Sequence, residues 1–181
     1  RTLGVPGGEG LLGACFGHVI TMNSPGGLGA GRNNWEATLW HEMCHVITLG
    51  ATANRMPRWL SEGISVHEER LRSPVWGQRM TREYRSYILD EDLLVPLAEL
   101  SGAFTGEIDI GFAYYQSSLV VEFILGQFGQ DALLRVMDRL REGATDEEAL
   151  AGELGDLEGL DAAFRGFAIA NDRLSRQRIP Y

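Results

Sequence analysis

The spacing of hydrophobic and polar positions changes several times along the chain, and each change marks an element. In ACFGHVITMN, His18, Ile20 and Met22 alternate with Gly17, Val19 and Thr21, the period of two expected of one short strand. Glycine-rich stretches, GVPGGEG and SPGGLGAGRNN, bracket it as loops. Asn33 or Asn34 can then cap a helix in which Trp35, Leu39, Met43, Val46 and Ile47 recur at helical spacing until Gly50 ends it.

After the loop ATANRM, Pro57 opens a second helix, RWLSEGISVHEERLR, with Trp59, Leu60, Ile64 and Val66 as its apolar set. Ser73 and Pro74 break it. A shorter helical piece, GQRMTREYRSYIL, precedes an acidic, proline-interrupted connection, DEDLLVPLAEL. From about Asp109 to Phe128 the run DIGFAYYQSSLVVEFILGQF is apolar nearly all round, which predicts a helix central to the core. Beyond Gly129 three small amphipathic helices are expected, with caps at Asp131, Thr145 and Asp156. The fold class that follows is α+β and mostly α. One domain spans 1–181, divided into a strand region and first helix (1–56), a second and central helix (57–128) and a carboxy-terminal helical part (129–181).

Composition changes this picture only by exclusion. In a chain of 181 residues the formal net charge of −9 and the lack of any basic run argue against nucleic acid as a partner. Two cysteines, Cys15 and Cys44, are too few for a disulfide framework and lack zinc-ribbon spacing, so both are expected to be small buried residues. No apolar run is long enough to span a membrane, and a soluble piece is expected. Because the chain starts at Arg1, a processed product or an excised part of a longer protein with flanking domains is expected.

The chemistry lies in WHEMCHVITL, which holds two of the four histidines of the chain. Residues four apart on a helix are separated by about 40° around the axis and about 6 Å along it, so His41 and His45 leave one face together. Two imidazoles can then meet one ion. Zinc takes nitrogen ligands, and a catalytic zinc keeps three protein ligands with the fourth position open to water. Glu42 completes H-E-x-x-H and stands as general base for that water. With this composition the motif would arise by chance in roughly one shuffled chain in a hundred.

A third ligand must come from another element, because the next position on that face is Leu49. Glu62 lies 17 residues beyond His45, far enough for 50–56 to reverse the chain and lay the second helix against the first. Gly63 would allow the close approach.

HEMCH followed by PRWLSEGISVHEE resembles the gluzincin metallopeptidases, most closely the bacterial peptidase MA-like domains with H-E-x-x-H and then W-L-x-E-G. AYYQSSLVVEFILGQFG is similar to the A-Y-x-Q-S helix of the same group, and the match runs from roughly Gly13 to Leu140. The resemblance implies a zincin-type helical core and a zinc peptidase acting on peptide or protein substrates. His41, His45 and Glu62 would be its Zn²⁺ ligands, Glu42 would activate water, and a tyrosine hydroxyl would polarise the scissile carbonyl. Tyr114 matches the family position, while the residues themselves leave Tyr114 and Tyr115 both open. The amine-anchoring G-A-M-E-N motif of the aminopeptidase relatives is absent upstream of His41, which favours an endopeptidase. The same likeness suggests an exported protein.

One departure from the pattern concerns the outer nitrogen of the first histidine. Many gluzincins place a carboxylate four residues after the third ligand to hold it, and here that position is Val66. Glu69 or a backbone carbonyl could substitute, although Glu69 by itself reads as a solvated charge, and His67 as an exposed one. His18 could face a peptide that pairs with its strand, or be an ordinary strand residue.

Other readings are weaker. A di-iron bundle needs a second Glu-x-x-His, which the chain lacks. Two histidines and a carboxylate could hold non-haem iron, but Glu42 and the resemblance favour zinc. An inactive peptidase-like module of a larger protein, retaining zinc or only the fold, is the rival from outside enzymology.

Overall fold

The computed structural model describes residues 13–17, 19–22, 34–90, 92–105 and 109–177. His18, Asn33 and the glycine-rich stretches before Gly13 and after Met22 lie outside them.

Where one strand was expected there are two, β1 (Gly13–Phe16) and β2 (Val19–Met22), paired antiparallel with Cys15 opposite Ile20 and Phe16 opposite Val19. Gly17 has φ +60°, which the first central position of a tight hairpin turn requires and glycine adopts without strain. The alternation runs straight through that turn, so periodicity alone reads it as continuous. The hairpin rests on the first helix, α1 (Trp35–Ala51).

Asn34 caps α1 by accepting from the Ala37 amide, 3.3 Å away. The helix passes Gly50 and ends where the Thr52 hydroxyl and amide turn back onto the carbonyl of Thr48. Ala53 and Asn54 then take φ of 52° and 59°, and this left-handed pair reverses the chain into Pro57 and α2 (Arg58–Arg72).

α2 lies between α1 and α4 (Ile110–Phe128), and its faces are therefore almost all covered. Trp59, Leu60, Ile64 and Val66 are buried as expected. His67, expected to be exposed, is also buried, because α4 and the neighbouring helices close over that side of α2. Burial and the charge of Arg70 push its pKa down, towards a neutral ring.

α4 is the centre of the core, and even its polar Gln116, Ser117 and Ser118 are fully buried. Gln116 is satisfied by clamping the connection in front of α4: its side chain accepts from the Val95 amide at 3.1 Å and donates to the Val95 carbonyl at 2.6 Å. That connection follows the short α3 (Arg82–Leu89), capped by Thr81, and contains two 3-10 turns, Leu97–Glu99 and Gly102–Phe104. Among the described residues three helices follow α4, namely α5 (Gln130–Glu142), α6 (Asp146–Leu154) and α7 (Leu157–Gln177). Thr145 and Asp156 act as caps, but Gly129 takes the cap position of α5 and Asp131 stands in its first turn. The result is α+β and mostly α. Among the described residues no helix is long and apolar enough to cross a membrane.

α1 departs from its apolar pattern. Trp35, Met43 and Ile47 are exposed, and its buried positions are Thr38, Glu42 and Thr48. Its inward face is polar because that face carries the site.

Candidate metal centre

The reversal at 52–56 brings the first turn of α2 under the middle of α1. Glu62 Oε2 then lies 3.0 Å from His41 Nε2 and 3.3 Å from His45 Nε2. The two imidazoles meet edge to face, 4.7 Å between centroids and 80° between planes. One ligand atom from each of His41, His45 and Glu62 falls within 4.8 Å of the other two.

The outer nitrogens are held as well. His41 Nδ1 is 2.9 Å from Glu69 Oε1, and His45 Nδ1 is 2.8 Å from Ser61 Oγ. With each Nδ1 donating its proton outward, each Nε2 turns its lone pair to the common point. Glu69 is thus a buried partner of a ligand histidine, not the solvated charge expected of it. Two helical turns separate it from Glu62 and put both carboxylates on one side of α2, with His41 between them. The turn after α2 covers it: Gly77 has φ +69°, and a Cβ there would come within 3.1 Å of Glu69 Oε2. Val66, where the family pattern puts this carboxylate, is in the core.

The electrostatics of the cluster call for a cation. Burial opposes charge on His41, but hydrogen bonds and the charges of Glu62 and Glu69 outweigh it and raise the pKa to about 10. Burial likewise opposes charge on Glu62, yet the two histidines lower its pKa to about 2. A site that holds a proton this firmly between two carboxylates suits a divalent ion, provided the proton leaves Nε2. Two imidazole nitrogens and one carboxylate oxygen, with the remaining direction opening to a cavity, are the donor set of a catalytic zinc.

That cavity encloses 420 Å³ and is walled by Ala14 and Cys15 of β1, Glu42 and Leu49 of α1, Met56, Arg58 and Ser61, and Tyr114 of α4. The strand bordering it is therefore β1 and not the one that begins after His18. Cys15 and Cys44 are free and half-buried, and burial pushes the Cys44 thiol up to about 12.

Glu42 is buried beside the ligands. Burial pushes its pKa up, His41 and His45 pull it down, and Glu62 and Glu69 push it up again. Gly13 leaves room for it, since a Cβ there would lie 3.0 Å from Glu42 Oε1 and 2.8 Å from Thr38 Cγ2.

The tyrosines separate. Tyr114 lines the cavity with its ring 6.5 Å from that of His41, and burial and the nearby Glu62 raise its pKa against the opposing pull of Arg58. Tyr115 points into the core, its ring stacked at 5.5 Å on Tyr84. It has no place in the cavity, for the one-residue step around α4 carries it away from α1.

Glu69→Ala is expected to lower zinc affinity about 10- to 100-fold, because His41 loses the group that fixes its ring and tautomer. Competition with a chromophoric chelator measures it, and affinity equal to that of the parent chain would show that Glu69 does not serve His41.

No curated protein and no solved structure matches the chain. The family described as the Peptidase MA superfamily matches residues 19–170, most of the chain and the whole of both helices that carry the ligands, α1 and α2. With that match and the intact His41, Glu42, His45 and Glu62 constellation, the chain belongs to the Peptidase MA superfamily, as a zinc metallopeptidase of the gluzincin type.

Proposed function

We propose that the protein is a zinc-dependent endopeptidase, with Glu42 as its general base and Tyr114 as the hydroxyl beside the scissile carbonyl. The observation that carries this reading is the convergence of His41, His45 and Glu62 on one point at the floor of an open cavity that Glu42 also lines. Zinc held there supplies a Lewis acid that polarises a carbonyl and makes water easier to deprotonate.

The chain supplies the rest. Glu42, its proton affinity raised by burial, takes the proton of the attacking water and returns it to the leaving amine. Tyr114, kept protonated by its raised pKa, can donate to the carbonyl oxygen as negative charge grows there. An extended peptide alongside β1 would gain backbone hydrogen bonds with little sequence preference.

Peptides blocked at both ends are expected to be cut internally at rates within about tenfold of unblocked ones, since no amine anchor contributes to binding. Mass spectrometry of the fragments checks this. Trimming of free ends with blocked peptides left whole would defeat the endopeptidase assignment.

A further inference from the structure

Arg58 brings a positive charge to the cavity wall, next to Tyr114 and the ligand Glu62. It sits in the first turn of α2, four residues before Glu62, and its side chain is 47% exposed, so the guanidinium is at the mouth and reachable from solvent. Three contacts fix its place, the first a hydrogen bond that it donates to the Tyr114 hydroxyl. Its Nε is 3.8 Å from Glu62 Oε1, longer than a hydrogen bond. Its guanidinium carbon stands 4.9 Å from the centroid of the Phe104 ring, which orients the plane without consuming an N–H donor. With one N–H directed to Tyr114, the guanidinium keeps most of its five donors, and a free pair of them matches a carboxylate through two parallel hydrogen bonds.

The remaining walls near it, Met56 and Leu49, are apolar and offer no competing anion for the guanidinium. Glu62 is the nearest carboxylate, and when it serves the metal its charge is largely spent there. We infer that Arg58 selects substrates by binding a peptide carboxylate within a few residues of the scissile bond, from either an acidic side chain or, in a short peptide, a free carboxy terminus. This rests on the peptidase reading of the same cavity and adds a substrate class to it.

The test is binding to the zinc-loaded Glu42→Gln chain, which holds substrate without turning it over. Four peptides of one sequence are titrated: glutamate or glutamine at the positions flanking the bond, each with a free or an amidated carboxy terminus. A peptide with a carboxylate is expected to bind about tenfold tighter than the fully neutral one, the increment of a charge-assisted pair. The side-chain and terminal arms tell the two sources apart.

In the Arg58→Gln, Glu42→Gln double variant, with zinc content verified, the preference is expected to fall below about twofold. Should that variant lose zinc, Arg58→Lys replaces it: the charge stays, the fork is lost, and a reduced preference is expected. Equal affinity for neutral and acidic peptides overturns the inference, as does a preference unchanged by either substitution or failure of all four peptides to bind. Absence of Glu42-dependent cleavage by the parent chain would sink the peptidase reading alone, since the affinity ratio is read without turnover.

Discussion

Glu42→Gln is expected to leave one equivalent of zinc bound and the fold unchanged, while turnover of a general protein substrate falls by about 10²- to 10⁴-fold, the usual contribution of a positioned general base. Glutamine fills the same space beneath Gly13, where a Cβ would already come within 3.0 Å of the Glu42 side chain, so packing is not disturbed. It cannot accept and hold a proton. Glu42 is not among the three ligands, and the metal should therefore stay. Metal analysis beside kcat and KM on both chains gives the answer, with KM expected to change little because the lost interaction belongs to the transition state. One equivalent of zinc with no Glu42-dependent cleavage in the parent chain would instead favour a zinc-retaining interaction module.

The ligand set could be read from the sequence because its geometry is local. Residues four apart on a helix share a face whatever the tertiary structure, and Glu62 needed only a short reversal to meet them. Glu69 shows where such reasoning stops. Nothing at an i+7 glutamate distinguishes a buried partner of His41 from a solvent-facing charge until the turn at Gly77 is seen to close over it. The glycine was the available signal, but its partner lies in the preceding helix and is set by a positive φ that sequence does not print. α1 misleads for a related reason. Trp35, Met43 and Ile47 mark an apolar stripe, yet His41, His45 and Glu42 must face α2 and the cavity, and that demand decides the rotation of the helix. The choice between Tyr114 and Tyr115 also needed coordinates, since both flank the same face boundary of α4 and only packing on Tyr84 removes the second.

Gly63→Ala is expected to cost stability and zinc affinity together. A Cβ at Gly63 would stand 2.6 Å from the Ser117 carbonyl oxygen, 2.8 Å from its carbon and 3.1 Å from Val121 Cγ2. The first two atoms are backbone of the buried central helix, and neither can rotate away. α2 must therefore lift from α4. Alanine improves helix propensity by roughly 1 kcal/mol over glycine, but overpacking a tight core costs about 1–3 kcal/mol and more when backbone must move. The balance is a loss of about 1–2 kcal/mol, which in a domain of this size lowers Tm by roughly 2–8 °C. Glu62 is the adjacent residue and moves with the backbone, so zinc affinity should drop about tenfold or more as one of three ligands leaves its place. Gly126→Ala is the internal control: a Cβ there meets nothing within 4 Å, and the substitution is expected to raise Tm slightly through propensity alone. Thermal unfolding with and without zinc, on both variants, separates the effects. Equal behaviour of the two alanines would mean that the helices do not meet at Gly63, and the placement of Glu62 under the histidines would lose its physical support.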